Sequence, residues 1–254
     1  MSSALLPSWP YPRWIAHRGA GLFAPENTLA AFRLGAQHGY RMFECDAKLS
    51  ADEVVFLLHD DRLDRTSSGA GVAGDWLWRD LSRLDAGAWH SLAFAGEPLC
   101  TLDAVAQFCI AHQYALNIEI KPTPGVEFRT GVCVATEVQR LWAGQSLQPL
   151  LTSFKEDALA GAKSVAPDLR RGLLLSDWTS DSLTVAERLS CVALVCNQHL
   201  WDAPRVQAAK ALGLKTLSYT VNDPQIAQHL QALGTDGIIT DRVDLFSPES
   251  SWTA

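Results

Sequence analysis

The feature that most constrains this chain is a repeated alternation. Short apolar, strand-like runs recur at 14–17, 42–47, 115–120, 150–154, 172–175, 192–196, 216–221 and 237–240, with amphipathic stretches between most of them. In NTLAAFRLGAQHG, for example, Leu29, Phe32 and Ala36 fall on one helical face. Asn27 is the expected cap of that helix and Gly39 its stop. Eight βα units in about 250 residues are the count and length of a (β/α)8 barrel. An open doubly wound sheet is the alternative, but no GxGxxG follows the first strand.

Two places break the rhythm. After Ala47 the chain reads KLSADEVVFLLHDD, a second strand-like run following a turn. We read it as a hairpin excursion; with its turn centred on 51–52, Glu44 would lie opposite His59. The segment at about 60–99 is rich in Gly, Ser, Trp and Asp and too long for an ordinary βα connection. It is expected to form a small subdomain inserted over one end of the barrel, within a single domain spanning 1–254.

Composition narrows the function classes. With 48% apolar and 19% charged residues, the chain is neither disordered, fibrous nor a disulfide miniprotein. No apolar run approaches the roughly 18–20 residues of a membrane-spanning helix. The start, MSSALLPSWPYPR, lacks the basic and apolar regions of a signal peptide, so a cytoplasmic protein without a membrane anchor is expected. Net charge is 21 − 28 = −7, which disfavours nucleic acid and anionic membranes as partners. A few local cations can still hold a phosphate substrate. The six cysteines include no CxxC pair and are expected to be reduced core thiols.

Active sites of such barrels collect at the C-terminal ends of strands. The polar residues there are His17 and Arg18, Glu44 and Asp46, Glu119 and Lys121, Ser153, Tyr219, Asn222 and Asp241. In a strand, residues i and i+2 face the same way. Glu44 and Asp46 would therefore repel each other unless a cation lay between them, and Glu119 stands in the same relation to Lys121. Three carboxylates with no cysteine or histidine grouping suit a hard ion such as Mg²⁺ or Ca²⁺, not a closed zinc site. Each piece also has an ordinary reading. Glu44-x-Asp46 could be solvated or salt-bridged, Lys121 could merely neutralise Glu119, and His17 and His59 could be strand-end and turn residues.

The run IAHRGAGLFAPENTLAAFRLGAQHGYRMFECDAKLSADEVVFLLHDDRLDRTSSGAG resembles the N-terminal signature of glycerophosphodiester phosphodiesterases. LDAGAW, FAGEPLCTLDA, NIEIK, TSF, SYTVND and GTDGIITD continue the resemblance in the family's order, from residue 14 to residue 241. HRG, PENT, ExD, HD and ExK together make it highly specific, and cytosolic bacterial members are the most similar.

The resemblance implies hydrolysis of diesters such as glycerophosphocholine to sn-glycerol 3-phosphate and an alcohol. It implies that His17 and His59 are the catalytic histidines and that Glu44, Asp46 and Glu119 are ligands of Mg²⁺, with Ca²⁺ the alternative. Arg18 and Lys121 correspond to phosphate-contacting cations, and 60–99 to the family's capping insertion. Tyr219 stands where many members carry Trp, as an aromatic wall against the glycerol. Cys100 stands where Pro is common. Cys45, between two ligands, should face away from the site. A phosphodiester anion needs cations at its non-bridging oxygens and an acid for its basic leaving group. We favour His17 as base and His59 as acid. The partner is then a small-molecule diester, held by its glycerol phosphate half with the alcohol directed to solvent, and the protein a monomer or homodimer. Rival readings are a lysophospholipase D or sphingomyelinase-D-like enzyme, a metal-assisted enolate barrel, and a catalytically dead binding barrel.

Overall fold

The computed structural model describes residues 9–246 and Pro248. Residues 1–8, on which the reading of the N-terminus partly rests, lie outside the described residues, as do 247 and 249–254 of the expected domain span. The elements run β1 (Trp14–Ala16), α1 (Leu29–Gln37), β2 (Met42–Leu49), β3 (Val55–Leu57), α2 (Trp78–Leu81), α3 (Leu102–His112), β4 (Ala115–Ile120) and α4 (Glu127–Leu141). They continue with β5 (Leu150–Ser153), α5 (Glu156–Val165), β6 (Arg170–Leu175), α6 (Ser182–Arg188), β7 (Ala193–Asn197), α7 (Ala203–Ala211), β8 (Lys215–Tyr219), α8 (Pro224–Ala232) and β9 (Gly237–Thr240). Each neighbouring pair among β1, β2 and β4 to β9 is parallel, and β1 pairs with both β2 and β9, which closes the sheet. The chain is a (β/α)8 barrel. Among the described residues no helix is long and apolar enough to cross a membrane.

Alternation along the strands sorts side chains into two layers. Ile15, Met42, Ala115, Leu150, Leu174, Val195, Leu217 and Ile239, one from each barrel strand, meet in a single apolar cluster that fills the interior. Phe43, Cys45, Leu116 and Ile118 instead join the larger cluster shared with the helices. Cys45 thus faces away from the barrel interior. All six cysteines are free, and only Cys133 is not buried. Because strand side chains repeat with period two, the residues two places beyond the apolar floor also face inward. These include His17, Glu44, Asn117, Thr152, Tyr219 and Asp241. The site therefore follows from the same periodicity that builds the core.

The β2–β3 hairpin differs from expectation by one residue. Ala47 pairs with Leu57, Lys48 with Phe56 and Leu49 with Val55. Ser50 and Val54 then bracket a three-residue loop, Ala51-Asp52-Glu53, with Glu53 at φ +62°. A third, left-handed loop residue shifts the register, as in three-residue hairpins. Asp46, whose carbonyl accepts the Leu58 N–H, now faces Leu58, so Glu44 is not paired with His59. His59 reaches the barrel mouth only because the chain leaves the ladder after Leu57.

The stretch from Leu58 to Leu99 builds its own small core from Leu58, Leu63, Ala73, Leu81, Ala86 and Leu99 beneath Phe56. Glu97 ties it to α1 by accepting the Ala30 N–H at 3.0 Å. The cap of α1 is Thr28, whose hydroxyl accepts the Ala31 N–H, and not Asn27. Asn27 has φ +62° and is drawn elsewhere, as described below. Gly39, at φ +88°, follows the helix end as expected.

One close approach fixes α1 against the loop that follows β1. A Cβ added at Gly35 would lie 2.1 Å from the Gly19 carbonyl oxygen. Gly35→Ala should therefore push α1 from that loop and destabilise the fold by about 1–3 kcal/mol, as overpacking does. Urea denaturation checks this; an unchanged midpoint would contradict the tight contact.

Candidate active site

The parallel register between β2 and β4 sets Glu44 beside Asn117 and Asp46 beside Glu119. Carboxylate oxygens of Glu44, Asp46 and Glu119 lie within 4.8 Å of one another. All three residues are at most 9% exposed. Like charges at that distance, out of water, oppose joint ionisation. Burial, then the charges of Asp46 and Glu119, push Glu44 well above the ordinary carboxylate range. Burial and the Asp46 charge push Glu119 up to about 7, against the pull of Lys121. Asp46 moves the other way. Burial opposes its charge, but Arg18, His59 and Lys121 outweigh that, with help from the Asn27 amide.

The cations come from strand ends and loops. Arg18, at φ +49°, donates its backbone N–H to Glu44 Oε2 at 3.0 Å. Its guanidinium donates to Glu26 at 2.8 Å, with Nε 3.3 Å from Asp46 Oδ2 in an ion pair lacking hydrogen-bond alignment. Lys121 Nζ donates to Glu119 at 3.0 Å and lies 4.0 Å from Asp46. Burial disfavours that ammonium, but Glu119 and Asp46 outweigh it and raise its pKa.

The two histidines flank this cluster. His17 Nδ1 is 2.6 Å from Asp241 Oδ1, while its Nε2 is 3.8 Å from Glu44. Asp241 also accepts from the Asn222 amide at 2.9 Å. Burial opposes the Asp241 charge, yet the His17 contact and Asn222 hold its carboxyl below the ordinary range. His59 Nδ1 is 2.7 Å from Asp60, and its Nε2 is 2.9 Å from Lys121 Nζ. Burial lowers the pKa of His59, and the Asp46 charge only partly restores it.

His17, Arg18, Glu44, His59, Glu119, Lys121 and Tyr219 all line one cavity of about 290 Å³, with Asn117 and Thr152 also on its wall. Asp46 is the remaining sequence-expected site residue, and it stands in the carboxylate cluster. Tyr219 presents its ring, since its hydroxyl donates to the Leu175 carbonyl and the ring meets Phe154 edge-on. A larger hollow of about 430 Å³ lies outside the barrel, between the hairpin turn, α3 and α4, and has none of these groups on its wall.

Two contributors were not assigned from the sequence. Asn27 grips Asp46 twice, donating Nδ2–H to Oδ2 at 2.8 Å and accepting the backbone N–H at 3.1 Å. Its place inside PENT, next to Glu26, was the available signal. Asp241 was visible as a strand-end carboxylate, but its pairing with His17 spans opposite ends of the chain.

A sequence model of the glycerophosphoryl diester phosphodiesterase family matches residues 17–245. The glycerophosphodiester phosphodiesterase of Caldanaerobacter subterraneus is 30% identical over 231 residues, covering 89% of this chain and 93% of its own. A solved structure of an Oleispira antarctica phosphodiesterase, in complex with the product sn-glycerol-3-phosphate, is 35% identical with a TM-score of 0.87. That match covers 91% of this chain and 93% of the other. The Agrobacterium tumefaciens glycerophosphodiester phosphodiesterase is 32% identical with a TM-score of 0.79, over 93% of this chain and 99% of that one.

The crowded carboxylates should cost the ion-free protein stability. A carboxyl whose pKa is raised on folding holds its proton longer in the native state, so stability falls as pH rises through the shifted range. Glu44→Gln keeps an oxygen for the Arg18 N–H and removes one charge. At pH 8 without divalent ions it should raise stability, because it removes one of three mutually repelling charges. Thermal unfolding tests the sign; a loss would mean that the three charges are already compensated.

Proposed function

The chain belongs to the glycerophosphoryl diester phosphodiesterase family and is a phosphoric diester hydrolase; we propose that it hydrolyses small glycerophosphodiesters to sn-glycerol 3-phosphate and an alcohol by metal-assisted acid–base catalysis. The observation that carries this is the convergence of three carboxylates, two cations and two histidines on one cavity.

The donor set is all oxygen, the chemistry of a hard divalent ion. Glu44, Asp46 and Glu119 would hold Mg²⁺ or Ca²⁺, which when bound supplies positive charge at the phosphoryl oxygens. Arg18 and Lys121 add fixed donors, Arg18 with the planar fork that matches phosphate. Asp241 accepts from His17 Nδ1–H, which leaves Nε2 with its lone pair outward, the tautomer a general base requires. His59, oriented by Asp60, supplies the proton to the leaving alcohol. Lys121 next to its Nε2 disfavours the imidazolium, so the diester anion must engage Lys121 before His59 gains its proton. Tyr219 offers a ring face to the glycerol carbons. The acidic net charge fits a cytoplasmic enzyme acting on a dissolved diester.

Two experiments test this reading. Chelation with EDTA should abolish release of sn-glycerol 3-phosphate from glycerophosphocholine, and Mg²⁺ should restore it; full turnover in metal-free buffer would sink the ion site. Because Glu119 is pushed up to about 7, it competes for a proton below that pH. Mg²⁺ affinity should fall about fivefold from pH 7 to pH 6, with proton release on binding. Titration calorimetry in buffers of different ionisation enthalpy reads both quantities.

The histidines separate by leaving group. General acid–base help is worth about 10²–10⁴-fold, so His17→Ala and His59→Ala should each lower kcat on glycerophosphocholine at least about a hundredfold. On a nitrophenyl diester the acid matters little, and His59→Ala should recover while His17→Ala does not. Recovery by His17→Ala alone would exchange the two roles.

A further inference from the structure

Beside the catalytic cavity lies a second one, of about 230 Å³. Glu119, Lys121 and Phe154 line both, so a phosphate held at Lys121 borders each space. The second cavity lies on the His59 side. Asp61, two residues past that histidine, forms part of its wall, while His59 itself, like His17 and Tyr219, lines only the first.

A buried charge with no part in the chemistry above holds this wall. Lys48 is fully buried. Its ammonium donates to Asp61 Oδ1 at 3.2 Å and to the Lys121 carbonyl at 3.0 Å. Burying an ammonium is costly unless it is paired. Here the pairing joins a loop of the excursion to the backbone of the shared wall, so the second cavity is built before any ligand arrives.

Resting on the phosphodiesterase reading, we propose that this cavity is the subsite for the leaving alcohol, with glycerol phosphate in the barrel cavity and phosphorus at Lys121. The cavity takes small polar alcohols, amino-alcohols or polyols. Beyond the shared residues its wall carries the Asp61 and Glu127 carboxylates, which accept from a hydroxyl or an ammonium, and the Lys155 ammonium, which donates to a hydroxyl, beside apolar Ile120, Pro122 and Pro124, which pack against short carbon segments. The alcohol thus meets protein, in place of the open solvent expected from sequence.

The two-cavity arrangement gives each histidine its part. The P–O bond to the alcohol breaks with its electron pair passing to the alcohol oxygen, which takes the proton from His59 Nε2. On the opposite face a water oxygen forms the new P–O bond and yields a proton to His17 Nε2, leaving sn-glycerol 3-phosphate. Protons exchanged with water return both rings to their starting forms.

Pro124 and Lys155 are exposed residues on the wall of the second cavity, outside the catalytic machinery. Lys155→Trp and Pro124→Trp should narrow it. Each should lower kcat/KM for glycerophosphocholine about tenfold, equivalent to about 1.4 kcal/mol. Inhibition by sn-glycerol 3-phosphate, which needs only the barrel cavity, should stay within about twofold, since that contact is untouched. Thermal unfolding confirms that both variants fold. Wild-type kcat/KM in both variants would overturn the proposal, as would a proportional loss of product inhibition. Failure of the unmodified enzyme to release sn-glycerol 3-phosphate from any diester would instead overturn the phosphodiesterase reading beneath it.

Discussion

Three carboxylates and two cations share one buried volume at the mouth of the barrel, and their charges do not balance. Glu44, Asp46 and Glu119 against Arg18 and Lys121 leave one negative charge uncompensated. The register makes this unavoidable, since Asp46 and Glu119 are direct neighbours on adjacent strands. A divalent ion or a shared proton answers the imbalance, and the raised pKa values of Glu44 and Glu119 describe the proton's answer. The site is thus built at some expense of stability, which the rest of the barrel must supply.

Outside that centre, charge also joins separate chain segments. Arg65 donates to both Asp60 oxygens at 2.6 and 3.0 Å and to both Glu26 oxygens at 2.8 Å. Glu26 in turn accepts from Arg18. One guanidinium therefore spans the loop that orients His59 and the loop that carries Arg18 and Asn27. Arg65 is 44% exposed, so each single bond is weak. Its value lies in the paired, planar geometry, which restricts both loops together. The apolar cluster under residues 58–99 supplies the hydrophobic support for this arrangement.

Much of this was legible in the sequence, because strand periodicity is local. The eight apolar runs located the barrel strands to within a few residues, and i, i+2 spacing placed Glu44 with Asp46 and Glu119 with Lys121 on common faces. The motifs of the resemblance brought His59 into the same set. What was misread depends on a single left-handed residue or on distant pairing. Glu53 added a third loop residue and shifted the hairpin register. Asn27 looked like a helix cap because its use, gripping Asp46, is a contact between β2 and a loop 19 residues earlier. Asp241 and His17 are 224 residues apart and meet only because β9 closes the barrel on β1. Lys48 gave no signal at all, since alternation alone does not tell a buried lysine with two acceptors from an exposed one.

The apolar floor completes the logic of the site. Beneath the charges lie Leu174, Ile239 and the other inward residues of the barrel, together with Asn117 and Thr152, which hydrogen-bond to each other at 3.0 Å. Water approaching from below is excluded, so the charges above interact through a medium of low dielectric constant. The same condition that makes the carboxylates repel one another strengthens their hold on a cation and the hold of Arg18 and Lys121 on a phosphate. Replacing the floor with polar side chains would relieve the first effect and weaken the second. The barrel interior is therefore part of the binding site, and Leu174 and Ile239 of its floor line the cavity itself.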